Sequence, residues 1–168
     1  YNKDLEICDY INEIQEEYNF PKYVKVTSGK NNKEKIIEAI QKLGKSTSMT
    51  MSVQSMDPQV LSNIRRDNIS KQALIALGPA LKKEGLSSIS EVILGLPGES
   101  HASTIQTLKD LIHADLDWIN IWTLMLLEGS ELNTPQERKK WNIKSKFRII
   151  PRDFAKLKNG TVVTEIEE

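Results

Sequence analysis

Apolar positions recur along this chain with two periods, helical and extended, that alternate from Asp4 to Lys140. Leu5, Ile7, Cys8, Ile11 and Ile14 fall at roughly helical spacing with acidic residues between them, which predicts an amphipathic helix over Asp4–Tyr18. Pro21 stops any helix there. Tyr23-Val24-Lys25-Val26 predicts a short strand, followed by a polar turn from Thr27 to Asn32. Ile36, Ile37, Ile40 and Leu43 share one face of a helix over Lys33–Leu43, and Gly44 supplies its C-cap. Met49 to Val53 is apolar-rich and partly β-branched, as suits a mostly buried strand. Asp57-Pro58 then reads as N-cap and first residue of a helix carrying Val60, Leu61 and Ile64 on its apolar face. Ser70 caps a helix from Lys71 to Glu84, which Pro79 should kink or split near Gly78. Ile89 to Leu94 is a third strand. The sharp turn Gly95-Leu96-Pro97-Gly98-Glu99-Ser100 leads into a helix to His113. Asp117 to Leu124 is a fourth strand, whose Trp118 and Trp122 read as core. Thr134-Pro135 starts a short polar helix, and its Arg138-Lys139-Lys140 run reads as a solvated face. Beyond it, Phe147 to Ile150 is extended and Asn159-Gly160 signals a hairpin.

This alternation implies right-handed βα units, so the fold class is α/β. Four parallel strands are expected near residues 23–26, 49–53, 89–94 and 118–124, with helices over at least the outer face. A closed eight-stranded barrel takes roughly 250 residues. A chain of 168 residues is one domain with an open sheet.

Composition narrows the function classes. Lys plus Arg total 23 and Asp plus Glu total 23, so the formal net charge is zero. That balance argues against long-range attraction to nucleic acid or anionic membrane. No apolar run is long enough to span a bilayer, and YNKDLEICDY lacks the pattern of a signal peptide. Cys8 is the one cysteine, so there is no internal disulfide and no thiolate cage; a cytoplasmic setting is expected. The chain begins with Tyr1 rather than Met, which suits a piece cut from a longer protein. His101 and His113 lie apart from any metal-ligand cluster and read as surface or packing residues.

The strand–helix junction at Gln54-Ser55 marks the carboxyl end of a parallel sheet, where ligands of α/β proteins usually sit. Taken alone, Gln54 and Ser55 are more simply read as satisfying turn backbone, and Arg65 and Arg66 as solvated. Gly95 and Gly98 let a ligand approach backbone, and the helix start at Ser100 favours anions. An ordinary tight turn is the simpler reading there too. Thr27 to Asn32 is no phosphate-binding loop, since its second Gly and Lys-Ser/Thr pair are missing.

Taken together, Ser52-Val53-Gln54-Ser55, Leu61 to Ile69 (LSNIRRDNI) and Val92 to Glu99 (VILGLPGE) resemble the radical S-adenosylmethionine (SAM) superfamily in order and spacing. The chain looks most like members with an upstream cobalamin-binding domain, and Ser28 to Asn32 and Phe147 to Phe154 fit that subgroup too. The resemblance implies a partial (βα) barrel that binds SAM beside a 4Fe-4S cluster. The reduced cluster cleaves SAM to methionine and a 5′-deoxyadenosyl radical, which takes hydrogen from a small-molecule substrate that the sequence leaves open. It implies that Ser52 and Gln54 hold the SAM ribose or carboxylate. An arginine after the next helix pairs with the methionine carboxylate; Arg66 matches that place best and Arg65 second. A planar guanidinium grips a carboxylate with two bonds. Leu94-Gly95 would lie against adenine, and the strand end from Trp122 to Leu124, with Leu124 foremost, is another adenine neighbour.

One departure stands out. The family holds its cluster with three cysteines spaced CxxxCxxC after the first strand, whereas Cys8 sits in a helix that resembles the one after the second. The chain therefore reads as the C-terminal part of the core domain over 1–145, with an extended or hairpin tail over 146–168. Its expected partner is the missing N-terminal part of the same domain. Alone it should lack radical activity and hold SAM weakly, because thiolates carry such a cluster. Without preceding strands, Tyr23–Val26 is an open edge that invites self-pairing. A homodimer through that edge is expected, or else cover from the first helix or tail. Two other readings stay open: a non-catalytic binding or scaffold half-barrel, and a phosphate-ligand-binding α/β domain built on the Ser100 helix start.

Overall fold

A computed structural model describes residues 3–25, 33–83, 85–149, 155–156, 158–163 and 165–168. The polar turn of Thr27 to Asn32, together with Val26, Glu84 and Ile150 to Phe154, lies outside the described residues. The elements in order are α1 (Asp4–Tyr18), α2 (Lys33–Leu43), β1 (Ser48–Gln54), α3 (Pro58–Asn63), α4 (Lys71–Lys83), β2 (Ser87–Leu94), α5 (His101–His113), β3 (Trp118–Thr123) and α6 (Pro135–Lys140). Four short strands follow: β4 (Phe147–Ile149), β5 (Ala155–Lys156), β6 (Val162–Val163) and β7 (Glu165–Glu167).

β1, β2 and β3 form one parallel sheet in that order. Alternation along the strands decides which face the helices cover. Val53 of β1 and Val92 of β2 point one way and pack with Leu74 of α4 and with Leu111 and Ala114 at α5. A second cluster joins Ile40 of α2, Met49, Leu81 and Leu86. The opposite face carries side chains in register: Thr50 beside Ile89 and Trp118, then Ser52 beside Glu91 and Asn120. No helix packs there among the described residues, which is the geometry of a barrel wall seen from inside. α1 lies on α2 instead, with Asn12 donating to the Lys42 carbonyl (2.8 Å) and Lys42 paired with Asp9 (2.7 Å).

Several expectations need correction. Of the expected strand at 23–26, the described residues Tyr23–Lys25 are not strand, so among the described residues the sheet has three parallel strands rather than four. The segment still lies against the start of β1: Val24 N–H donates to the Ser46 carbonyl (2.7 Å), and Thr47 Oγ1 donates to the Val24 carbonyl (2.8 Å). α4 runs unbroken through Pro79. The carbonyl that proline leaves without a donor belongs to Ile75, and both residues are exposed, so water can serve it. Trp118 and Trp122 are exposed, at 66% and 50%, not core. They sit on the edge strand, on the face that no helix covers. Arg138 is not solvated but ion-paired with Glu167, while Lys139 and Lys140 are exposed as expected. The tail is extended as expected: β4 pairs antiparallel with β7, and β5 with β6 around Asn159-Gly160.

Candidate functional site

The carboxyl ends of the three strands build one rim. At β1 the register with β2 slips between Ser52 and Gln54, and Gln54 is left-handed at φ 65°. Bulges of this kind re-aim side chains beside functional sites. Asp57 then starts α3, its Oδ1 accepting from the N–H groups of Gln59 (2.8 Å) and Val60 (3.0 Å). α3 ends by reversing the chain: Arg65 is left-handed at φ 52°, and Arg66 N–H donates to the Leu61 carbonyl (2.9 Å). That reversal returns Arg66 to β1, where its Nη2 donates to the Ser52 carbonyl and its Nε to Asn68 Oδ1 (3.1 Å). Asn68 Nδ2 in turn donates to the carbonyls of Val53 (2.6 Å) and Ser55 (2.8 Å).

Asn68 was not singled out from sequence. An Asn just beyond a helix is apt to bond backbone, but which backbone it reaches is a tertiary fact. Glu91 was missed as well. Its carboxylate accepts from Ser52 Oγ at 2.5 Å on the helix-free face. Register alone places it there: the one charged residue of β2, opposite Ser52.

The Gly95 turn is fixed by Glu99, whose Oε2 accepts from the N–H groups of Gly95 (2.7 Å) and Leu96 (3.3 Å). Gly95 has φ 82°, a conformation that favours glycine. Leu124 N–H donates to the Leu94 carbonyl (2.8 Å), which extends the β2–β3 ladder to the rim. Ser100 caps α5 reciprocally with Ser103, so the stiff turn feeds an ordered helix.

Arg66 thus reaches the Ser52 carbonyl at the end of β1, where Gln54 also sits, and Leu94, Gly95 and Leu124 come together at the ends of β2 and β3. A groove of about 890 Å³ opens on the helix side, between α3, the 65–71 linker and α5. Arg66 lines it, but Ser52, Gln54, Leu94, Gly95 and Leu124 do not. Its floor holds buried Asp110, paired with Lys71 at 2.6 Å. Of the six rim residues, the groove takes in Arg66 alone. Arg65 is swung out to pair with Glu131 (3.1 Å) at the surface.

Two features at the rim lack partners. Gln54 Oε1 is buried with no donor. The Arg66 guanidinium is partly buried, and burial lowers its pKa. Among the described residues it makes hydrogen bonds to neutral groups and no ion pair. An acceptor without a donor and a guanidinium without a carboxylate fit a ligand carrying both hydroxyls and a carboxylate, as SAM does. The residues present fit that group. Among the described residues there is no cluster of three His, Cys, Asp or Glu side chains able to hold a metal ion. Cys8 is buried in α1, and desolvation, then Asp9 and Asp4, raise its pKa.

No protein-family model matches the chain. It is 28% identical over 170 residues to the cobalamin-dependent radical SAM methyltransferase TokK of Streptomyces tokunonensis, covering 98% of this chain and 24% of that protein. The 2-(S-pantetheinyl)-carbapenam-3-carboxylate methyltransferase of Streptantibioticus cattleyicolor matches equally, at 28% over 170 residues, 98% of this chain and 24% of the relative. In fold it resembles coproporphyrinogen III oxidase HemN of Escherichia coli, a radical SAM enzyme, with TM-score 0.60, 17% identity, and 83% of this chain and 35% of that one covered. Over nearly its whole length the chain is thus similar to a segment of a cobalamin-dependent radical SAM methyltransferase, which supports a C-terminal part of a radical SAM core. It spans about a quarter of the length of the curated relatives it matches. Among the described residues, no helix is long and apolar enough to cross a membrane.

Proposed function

We propose that this chain supplies part of the SAM site of a radical SAM enzyme, one that works with a 4Fe-4S cluster and with cobalamin, in the cytoplasm. The observations that carry this are the partly buried guanidinium of Arg66 without a carboxylate and, at the end of β1, the buried Oε1 of Gln54 without a donor. Arg66 would take the methionine carboxylate with its fork. Gln54 would accept from a ribose hydroxyl, and Ser52 with Glu91 would offer a hydroxyl and a carboxylate on the same wall. The Gly95 turn and Leu124 would present backbone and apolar surface to the adenine. When bound, the reduced cluster supplies the electron that cleaves SAM. Arg66, Gln54 and Glu91 contribute binding and orientation.

The open three-stranded sheet suits the remaining strands of the same barrel along its β1 edge, so its N-terminal part is the proposed partner. A homodimer through that edge is the competing arrangement, and light scattering on the chain alone separates the two. The binding claim is tested in the intact protein with its cluster reconstituted. Calorimetric titration should show SAM binding that Arg66→Ala and Gln54→Ala each weaken. Equal binding by wild type and both variants would overturn the assignment.

A further inference from the structure

We infer that Arg138 and Glu167 form a latch that positions the loop leaving β3, and through it the Leu124 wall of the site; this rests on the SAM reading above. The Arg138 guanidinium spends every N–H it has. Nη1 and Nη2 grip the Glu167 carboxylate at 2.7 and 2.5 Å, Nη1 also reaches Ser145 Oγ (3.2 Å), and Nε and Nη2 meet Asn133 Oδ1 at 2.9 and 2.5 Å. The Ser145 hydroxyl donates to the same Glu167 Oε1 that Nη1 reaches.

Both partners of this pair hold Leu126. Asn133 Nδ2, oriented by Arg138, donates to the carbonyls of Leu126 (3.1 Å) and Leu127 (3.2 Å). The Glu167 carbonyl accepts the Leu126 N–H (2.9 Å). Leu126 is 5% exposed, and just before it Leu124 is tied to the end of β2. One ion pair therefore fixes both backbone groups of Leu126, a residue that continues the site wall. Depth sets this pair apart from Arg65–Glu131, whose side chains are 77% and 63% exposed; Arg138 and Glu167 are 27% and 17% exposed. Neither core cluster includes Arg138, Glu167 or Leu126. Breaking the latch should loosen the wall and spare the core.

The test uses the intact, cluster-reconstituted protein and the variants Arg138→Gln and Arg138→Lys. Arg138→Gln should raise the SAM dissociation constant about tenfold. The Leu126 amide should exchange faster, β2 amides should be unchanged, and Arg138→Lys should regain part of the affinity because it keeps a charge for Glu167. Wild-type protein that leaves SAM unbound overturns the site assignment and this inference together. Wild-type binding with unchanged affinity in Arg138→Gln overturns this inference alone. So does faster exchange spread over β2, which would make the pair a general staple rather than a latch on one wall.

Discussion

Arg66 donates from Nη2 to the backbone carbonyl of Ser52, so a side chain from beyond α3 is anchored near the carboxyl end of β1. That anchor holds the guanidinium at the sheet rim while leaving it without a carboxylate. The prediction is a split between affinity and stability. Arg66→Lys should weaken SAM by about ten- to a hundredfold, since hydrogen bonds to charged groups contribute roughly 1.5–3 kcal/mol. Its unfolding midpoint should barely move. Calorimetry beside urea denaturation reads both, and a large stability loss with intact affinity would contradict the assigned role.

A second prediction concerns the fold that carries the rim. Gly78 of α4 faces the end of α5 so closely that an added Cβ would lie 2.0 Å from the Ala114 carbonyl oxygen. The obstacle is backbone, so it cannot rotate away. Gly78→Ala gains helix propensity, yet the clash should dominate and destabilise by about 1–3 kcal/mol or more. Chemical denaturation of the chain checks it. A stabilised variant would mean that α4 and α5 pack further apart than described.

Much of this was legible in sequence because it is local. The caps at Asp57, Ser70 and Ser100, the Gly44 and Gly95 turns and the hairpin at Asn159-Gly160 all follow from side-chain chemistry within a few residues. Three misreadings share a different cause. Trp118 and Trp122 look like core until the topology puts them on an edge strand with an uncovered face. Arg138 looks solvated within its basic run until β7 brings Glu167 across. Tyr23–Lys25 has strand composition, but it meets β1 through Ser46 and Thr47 and forms no ladder. At the site, Arg66 could be named because its motif is contiguous, whereas Glu91 and Asn68 become visible only once register and chain reversal are known.

Cys8 offers a direct check on α1. It is buried against α2, and desolvation together with Asp9 and Asp4 holds its pKa above the ordinary thiol value, against a smaller opposing effect from Lys42. The thiolate fraction at pH 8 is therefore reduced and access is poor. Iodoacetamide should label native Cys8 at least about tenfold more slowly than an exposed cysteine, and denaturant should abolish the difference. Labelling at the free-thiol rate under native conditions would place α1 off α2.

The Arg138–Glu167 pair also predicts a pH signature. Arg138, then Ser145, hold the Glu167 carboxyl below its usual 4.5. A carboxylate with a depressed folded pKa contributes stability that is complete above the unfolded value and is lost as pH falls through the folded one. Protection of the Leu126 amide should thus hold from neutrality down to about pH 4.5 and drop only below it. Neighbouring Glu168, paired with Arg148, titrates in the same direction and would add to the drop. Glu167→Gln separates the two: its Leu126 amide should be less protected at neutral pH already, with a shallower loss on acidification. Hydrogen exchange across pH 3–7 measures this. Wild-type protection already falling near pH 6, or identical profiles for wild type and Glu167→Gln, would assign the hold on Leu126 to something other than this carboxylate.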